Sequence, residues 1–262
     1  MGEVIMGLFA ESAWHYARYR PGYPQQFFDD VVEHFSLDRT GRLLDLGCGT
    51  GQLTLPLADY VTEAVGMDPE PGMLSEAAKR ANVAGVTNVT WTQGGSNDLP
   101  SNIGPFRLVT MGRSFHWMDR EQVLTALDSI VDGDGGLVIA NDSCLVRPTT
   151  QWQRAVEDVQ NRFIPMETLT NTTGPVSKTE THEAILARSP FRDVRRTTYA
   201  FDRSWTIEQA IGYLYSTSLP LRRSLGERRA AFEQAITDTL IAIDPKGQFT
   251  EPVTLEVLTA TR

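Results

Sequence analysis

Three glycines in five residues, Gly47, Gly49 and Gly51, interrupt an aliphatic run that starts at Leu43, and an acid, Asp45, stands two residues ahead of them. A second acid, Asp68, closes the next apolar run, "TEAVGMD". Glycine admits positive φ and lets backbone come close to a ligand. An acid at the carboxyl end of a parallel strand is placed to accept both hydroxyls of a ribose. These residues therefore read as the border of a bound small molecule. A phosphate loop needs Gly-Lys-Ser/Thr, whereas Gly51 is followed by Gln52 and Leu53. The dinucleotide fingerprint ends in Gly or Ala, and counting from Gly47 that place is held by Gln52. Asp68 alone would suit NAD equally. The acid before the glycines and the D-x-G-x-G-x-G spacing favour a ligand with a ribose and a zwitterionic head over one with a pyrophosphate.

The elements that must hold these residues alternate along the first half of the chain. Residues 24–35 carry a helical apolar stripe of Phe27, Phe28, Val31, Val32 and Phe35. Then come strand "RLLDLGC", helix "GQLTLPLADY", strand "TEAVGMD", helix "PGMLSEAAKRAN", strand "NVTWTQG", strand "FRLVTMG", helix "REQVLTALDSIV" and strand "GGLVIAND". Apolar strands separated by helices imply a parallel sheet covered on both faces. The second half is helical around 149–188, then alternates in "VRRTTYAFDRSW", is helical again, and closes on the alternating "EPVTLEVLTATR", which reads as an antiparallel edge. The expectation is a single α/β domain over 1–262, with helical additions at 145–190 and 203–247. The net charge of −9 and the absence of a long basic block argue against a nucleic-acid partner. No run approaches a membrane span, and the N-terminal stretch lacks a signal-peptide pattern. Cys48 and Cys144 fit neither a disulfide framework nor a metal-ligand spacing, so a cytoplasmic protein with free thiols and no metal is expected.

Four segments in order, "LLDLGCGTGQLT", "VGMDPEPGML", "QGGSNDLP" and "FRLVTMGRSFHWMD", resemble the class I S-adenosylmethionine-dependent methyltransferases, specifically the small-molecule, trans-aconitate-methyltransferase-like branch. The N-terminal "YARYRPGYP" is similar to that branch too, and the likeness spans most of residues 16–142. The resemblance implies a Rossmann-like seven-stranded sheet, mostly parallel with an antiparallel last strand, and helical additions that form a lid over an acceptor pocket. It implies S-adenosylmethionine as cofactor and S-adenosylhomocysteine as product. Gly47 and Gly49 would pass under the methionine part, with Cys48 and Gly51 in the same loop. Asp45 would hold the loop or meet the ammonium, and Asp68 would bind the ribose. Met67 and Met73 would pack on the adenine. Many relatives carry an acid where this chain has Gly95, so adenine contacts would fall to the Ser96 backbone or the Asn97 side chain.

Tyr16, Arg20 and the neighbouring Tyr19 and Tyr23 would close over the cofactor, Arg20 gripping its carboxylate. Arg113 joins the cofactor set and, with Arg222 and Arg223, offers a site for an acceptor carboxylate. His116 is the candidate base for the acceptor, and Trp117 and Tyr213 are expected to touch it. Trp152, Phe163, Met166, Trp205, Tyr213 and Tyr215 supply either core or acceptor-pocket wall. His15 and His182 read as surface residues, and His34 as a packing or surface residue. The reaction expected is methyl transfer to an oxygen, nitrogen or carbon of a small metabolite. The alternatives are non-methylating chemistry on the same cofactor, or a non-catalytic binding protein; the oligomeric state is left open as monomer or dimer.

Overall fold

The computed structural model describes residues 12–99, 103–142, 148–164, 180–217 and 221–262, without the side chains of 222 and 223. Cys144, Met166 and the side chains of Arg222 and Arg223 thus lie outside the described residues, as do parts of the addition expected at 145–190. The chain divides into two compact units. One comprises Pro21–Asp142, Pro175–Tyr199 and Leu255–Arg262; the other comprises Met1–Arg20, Ser143–Gly174 and Ala200–Thr254.

The first unit is built on the sheet. In chain order its strands are β1 (Arg42–Leu46), β2 (Glu63–Asp68), β3 (Val89–Gln93), β4 (Phe106–Gly112), β5 (Val131–Asp142), β6 (Asp193–Thr206) and β7 (Gln248–Thr261), with the end of β6 and the start of β7 belonging to the second unit. They form one seven-stranded sheet, ordered β3-β2-β1-β4-β5-β7-β6. The first five pair in parallel, and β7 runs antiparallel to β5, with Leu137 opposite Ala260 and Asp142 opposite Leu255. β1 lies near the middle, which is why Leu43 to Leu46 are all buried and why the run reads as continuously apolar. The core gathers Leu44, Leu46, Met67, Val109, Met111 and Ile139.

The connections are helical: α1 (Ala13–Tyr19) and α2 (Gln25–His34) precede the sheet, α3 (Thr54–Ala58) follows β1, α4 (Pro71–Ala84) follows β2 and α5 (Arg120–Asp128) follows β4. α3 is much shorter than the expected helix from Gly51 onward, because its backbone turns through the glycine loop first; Pro56 then falls in its first turn, where proline is tolerated. Gly85 ends α4 at φ +71°, as its position past the periodic residues requires. One expectation is corrected. β7 alternates as a one-sided strand does, yet it lies between β5 and β6, and β6 is the edge. Its alternation holds only up to Glu256, and Val257 to Ala260, which pair with β5, are buried on both faces.

The second unit packs α6 (Gln151–Phe163), α8 (Ile207–Leu214) and α10 (Arg229–Ile243) around Trp152, Val156, Trp205, Tyr213, Phe232 and Leu240. Glu251 is buried at its centre and accepts from Gln153 Nε2 at 3.0 Å and Trp205 Nε1 at 2.8 Å, with Arg203 3.3 Å away. The short helices α7 (His182–Leu186) and α9 (Leu221–Leu225) complete the described elements.

Candidate functional site

The glycine loop starts where β1 stops. The N–H groups of Gly47 and Cys48 both donate to the carbonyl of Met67 on β2, at 2.8 and 3.0 Å, so the loop is folded back on the neighbouring strand end. That fold needs positive φ: +73° at Gly47, +55° at Gly49 and +80° at Gly51. At Gly47 there is no room for a side chain either. A Cβ there would lie 2.5 Å from Cβ of Ser114, whose hydroxyl donates to the Leu46 carbonyl at 2.7 Å. Gly51 has a different reason to be bare: a Cβ would meet Trp91 at 3.0 Å, and Gly66 makes room for the same indole. Gly51 thus serves packing inside the sheet unit, where a cofactor contact was expected. The thiol of Cys48 is likewise buried, and burial pushes its pKa well up. From α4, Arg80 donates to the Thr50 carbonyl at 2.5 Å and braces the loop.

The two acids have separate tasks. Asp45 is 1 % exposed; it accepts from Thr54 N at 3.1 Å and Thr54 Oγ1 at 2.5 Å on one oxygen, and from Thr110 Oγ1 at 2.8 Å on the other. Of its two expected roles, these bonds give it the loop-holding one. Burial raises its carboxyl to about 6. Asp68 caps β2, and each oxygen accepts one backbone N–H: Gly49 at 2.8 Å and Glu70 at 3.0 Å. Its pKa is also raised, chiefly by burial. One further lone pair remains on each oxygen, and a carboxylate with an acceptor position on both oxygens can take a pair of vicinal hydroxyls.

Next to it, at the end of β3, Gly94 donates to the Asp68 carbonyl at 3.1 Å. Met67, 2 % exposed, brings its sulfur within 3.6 Å of the point where a Gly94 Cβ would stand; Met73 is buried on α4. Ser96 and Asn97 lie in a short 3₁₀ turn, Ser96–Asp98. That turn bends Asp98 back, so that its Oδ2 accepts from Gly95 N at 2.8 Å. A carboxylate therefore stands beside Gly95 although residue 95 itself has no side chain.

Past β4, Arg113 adopts φ +56° and its guanidinium forms a buried bidentate pair with Asp142, both contacts 2.8 Å. It also donates to the Pro21 carbonyl at 3.1 Å and lies 4.8 Å from the centre of the Tyr23 ring. Its charge is matched by Asp142, and it ties the residues just ahead of α2 to the ends of β4 and β5. His116 and Trp117 follow on the turn Phe115–Trp117, half-buried, their rings 5.0 Å apart. His182 is no surface residue: it is half-buried, its ring 5.0 Å from that of Phe115, and its Nδ1 lies 3.2 Å from Arg120, which can only donate. Burial lowers its pKa. His34, by contrast, is exposed on α2.

In the helical unit the guanidinium of Arg20 lies between two rings, 5.1 Å from Tyr16 and 5.0 Å from Tyr213. Tyr213, expected at the acceptor, is 3 % exposed and also meets Trp205 edge-on. Trp152, Trp205 and Tyr215 are core as well. His15, half-buried against Trp14, Tyr19 and Tyr215, is again not a surface residue.

Sequence reasoning missed Ser114, Thr54, Thr110, Asp98 and Gln52. Only Asp98 left a signal, an acid three residues after Gly95 at the start of a turn. Gln52 is 9 % exposed, and its Nε2 is buried without a hydrogen-bond partner among the described residues. A buried orphan donor beside the loop, a strand-end carboxylate and a cleared glycine backbone together fit a ligand that has a ribose and an acceptor-rich polar end.

Comparison with known proteins bears on which ligand. A family model described as a methyltransferase domain matches residues 43–133. The chain is 33 % identical over 128 residues to the probable S-adenosylmethionine-dependent methyltransferase CRG1 of Saccharomyces cerevisiae, covering 48 % of this chain and 43 % of that protein. It is 23 % identical to an uncharacterized methyltransferase of Schizosaccharomyces pombe over 93 % of this chain and 91 % of the other. A putative type II methyltransferase from Anaeromyxobacter dehalogenans shares the fold, with a TM-score of 0.61 at 19 % identity over 93 % and 98 % of the two chains. The matched domain begins at Leu43 and takes in the glycine loop, Asp68, Asp98 and the His116 turn; over these residues the chain is similar to methyltransferase domains, and it spans less than half the length of the yeast relative.

Proposed function

We propose that this enzyme transfers the methyl group of S-adenosylmethionine to an oxygen, nitrogen or carbon of a small, partly apolar metabolite. The observation that carries the cofactor assignment is Asp68, held by Gly49 N–H at the end of β2 beside backbone that has no side chains. Asp68 would hold the ribose hydroxyls. Asp98, with Met67 beneath Gly94, would meet the adenine edge and face. The cofactor supplies an electrophilic methyl sulfonium; the chain's residues bind, orient and exclude water. His116 would take the acceptor's proton, with Trp117 against it. The acidic net charge and the absence, among the described residues, of a helix long and apolar enough to cross a membrane support a small acceptor over a nucleic acid or a lipid surface. A cytoplasmic setting is proposed from the cysteine count, two in the whole chain and too few for a disulfide framework.

The test is incubation with methyl-labelled cofactor and a fractionated metabolite extract. Label recovered in the small-molecule fraction supports the reading. Label only in protein or nucleic acid, or cofactor breakdown without label transfer, overturns it. Asp68→Ala should weaken S-adenosylhomocysteine binding by about tenfold or more in calorimetric titration.

A further inference from the structure

Asn141 on β5 and Glu256 on β7 stand opposite each other on one face of the sheet, and both are exposed. β5 and β7 are interior strands, and the interior of a sheet with helical crossovers is ordinarily covered on both faces. Two residues away on the same face, Ile139 and Leu258 form the next such pair, and they are buried, together with Ile185 and Leu186 of α7. α7 is only five residues long. Beside it the cover gives way to an open cavity of about 290 Å³ with those four strand residues as its floor. Glu180, His182 and Glu183 line the helix side, and Arg196 of β6 completes the wall. The cavity adjoins the turn that carries His116: Asn141 follows Ala140, which pairs with Gly112 at the end of β4, and the His182 ring lies 5.0 Å from that of Phe115. It therefore sits at the carboxyl ends of β4 and β5, where open α/β sheets take their ligands.

The charges of the wall do not cancel. Glu180 is matched by Arg188, whose Nη2 donates to it at 2.8 Å and also to Glu121. Glu183 and Glu256 share one cation: Arg196 donates to the first at 3.0 Å and to the second at 2.6 Å. His182 adds no charge, since burial favours its neutral ring and its Nδ1 faces the donor Arg120. Glu121, Glu180, Glu183 and Glu256 thus meet only Arg120, Arg188 and Arg196, and one negative charge is left over. It rests on Glu183 and Glu256, each of which keeps Oε2 without a partner among the described residues. A compact cation that only donates answers such a pair, and an ammonium is that group. We propose that the methyl acceptor is an amine-bearing metabolite, its ammonium held between Glu183 and Glu256 and its carbon stem lying over Ile139 and Leu258. The assignment rests on the methyl-transfer reading above. A protonated nitrogen has no lone pair, so the methyl passes from sulfur to a different atom of the acceptor, and the product keeps its positive charge.

The test uses the full chain and three probes of one size: n-butylammonium, butan-1-ol and butyrate. In two-dimensional NMR titrations n-butylammonium should shift the amides of 141, 182–183 and 256–258. Butan-1-ol should bind there about fivefold more weakly, the factor for one half-exposed ion pair, and butyrate should cause no shift. Glu256→Gln should weaken n-butylammonium by about fivefold, whereas Arg196→Gln, which releases both carboxylates, should tighten it by a similar factor. Both variants should bind S-adenosylhomocysteine as the wild type does. In the extract experiment the labelled product should be retained by a cation exchanger at neutral pH. No shift with n-butylammonium, butan-1-ol or butyrate binding as tightly as the amine, or a loss of amine binding with Arg196→Gln would overturn the site. Label only in neutral or anionic metabolites would overturn the amine assignment and leave methyl transfer standing. Label in no small molecule would overturn methyl transfer, and this inference with it.

Discussion

Burial of Asp45 couples the loop to pH. Its carboxyl sits at about 6 in the fold against an ordinary 3.8. Between those values the folded chain holds a proton that the unfolded chain has released. Stability therefore falls as pH rises through that window, and the loss, about 3 kcal/mol at most, is complete above the upper value. Asp45→Asn keeps the shape and an acceptor for Thr54 N–H. It should flatten the slope of urea midpoint against pH between 4 and 6 relative to wild type; an unchanged slope would mean that Asp45 is ionised throughout. His116 is tested by a different profile. If it accepts the acceptor's proton, His116→Asn should lower kcat about a hundredfold and abolish the acid limb of the pH–rate curve. A change in KM alone would assign it to shaping the pocket.

Pairs of elements hold the site in shape. The loop after β1 and the turn after β4 interlock at Gly47 and Ser114. Gly47→Ala meets both a positive φ and a 2.5 Å approach, and should cost about 2–4 kcal/mol in chemical denaturation. Adding Ser114→Gly should return part of that by clearing the approach while leaving the φ cost. Arg113 and Asp142 join β4 to β5, with side chains only 8 % and 2 % exposed. Arg113→Leu removes both guanidinium contacts from a buried carboxylate and should destabilise by about 3–5 kcal/mol; Arg113→Leu with Asp142→Leu should be milder than the single change. At this scale the sequence is only half readable. Asp68 and the glycines announce themselves because a strand end and the following turn are local. The Arg113–Asp142 pair spans 29 positions and exists because β4 and β5 align Gly112 with Ala140, a register no local pattern specifies. Tyr213 and Trp152 show the opposite failure: aromatics at helical spacing look alike whether they wall a pocket or fill a core.

For the molecule as a whole, parallel strands, helical crossovers and the glycine loop were all legible, because an apolar run bounded by turn residues carries its own address. The place of β7 was not, since alternation reports one covered face and not which neighbours supply it. Ligand binding should be read out unevenly. Hydrogen exchange with and without S-adenosylhomocysteine should slow most at 47–53, 66–70 and 94–98, which all lie in the sheet unit. Uniform slowing across 151–163 and 229–243 instead would place the main ligand contacts elsewhere.

The insertion of β7 has its own consequence for inheritance and manufacture. Leu137, Val138 and Ile139 are roofed along one side only by residues that come more than a hundred positions later. A nonsense codon anywhere after Asp142 and ahead of Leu255 would strip that roof while leaving the glycine loop, Asp68 and His116 in the product. The product would keep its chemistry on paper and present a sticky, unpaired aliphatic ribbon to every copy of itself, so such alleles should yield inclusion bodies, not a weakened enzyme.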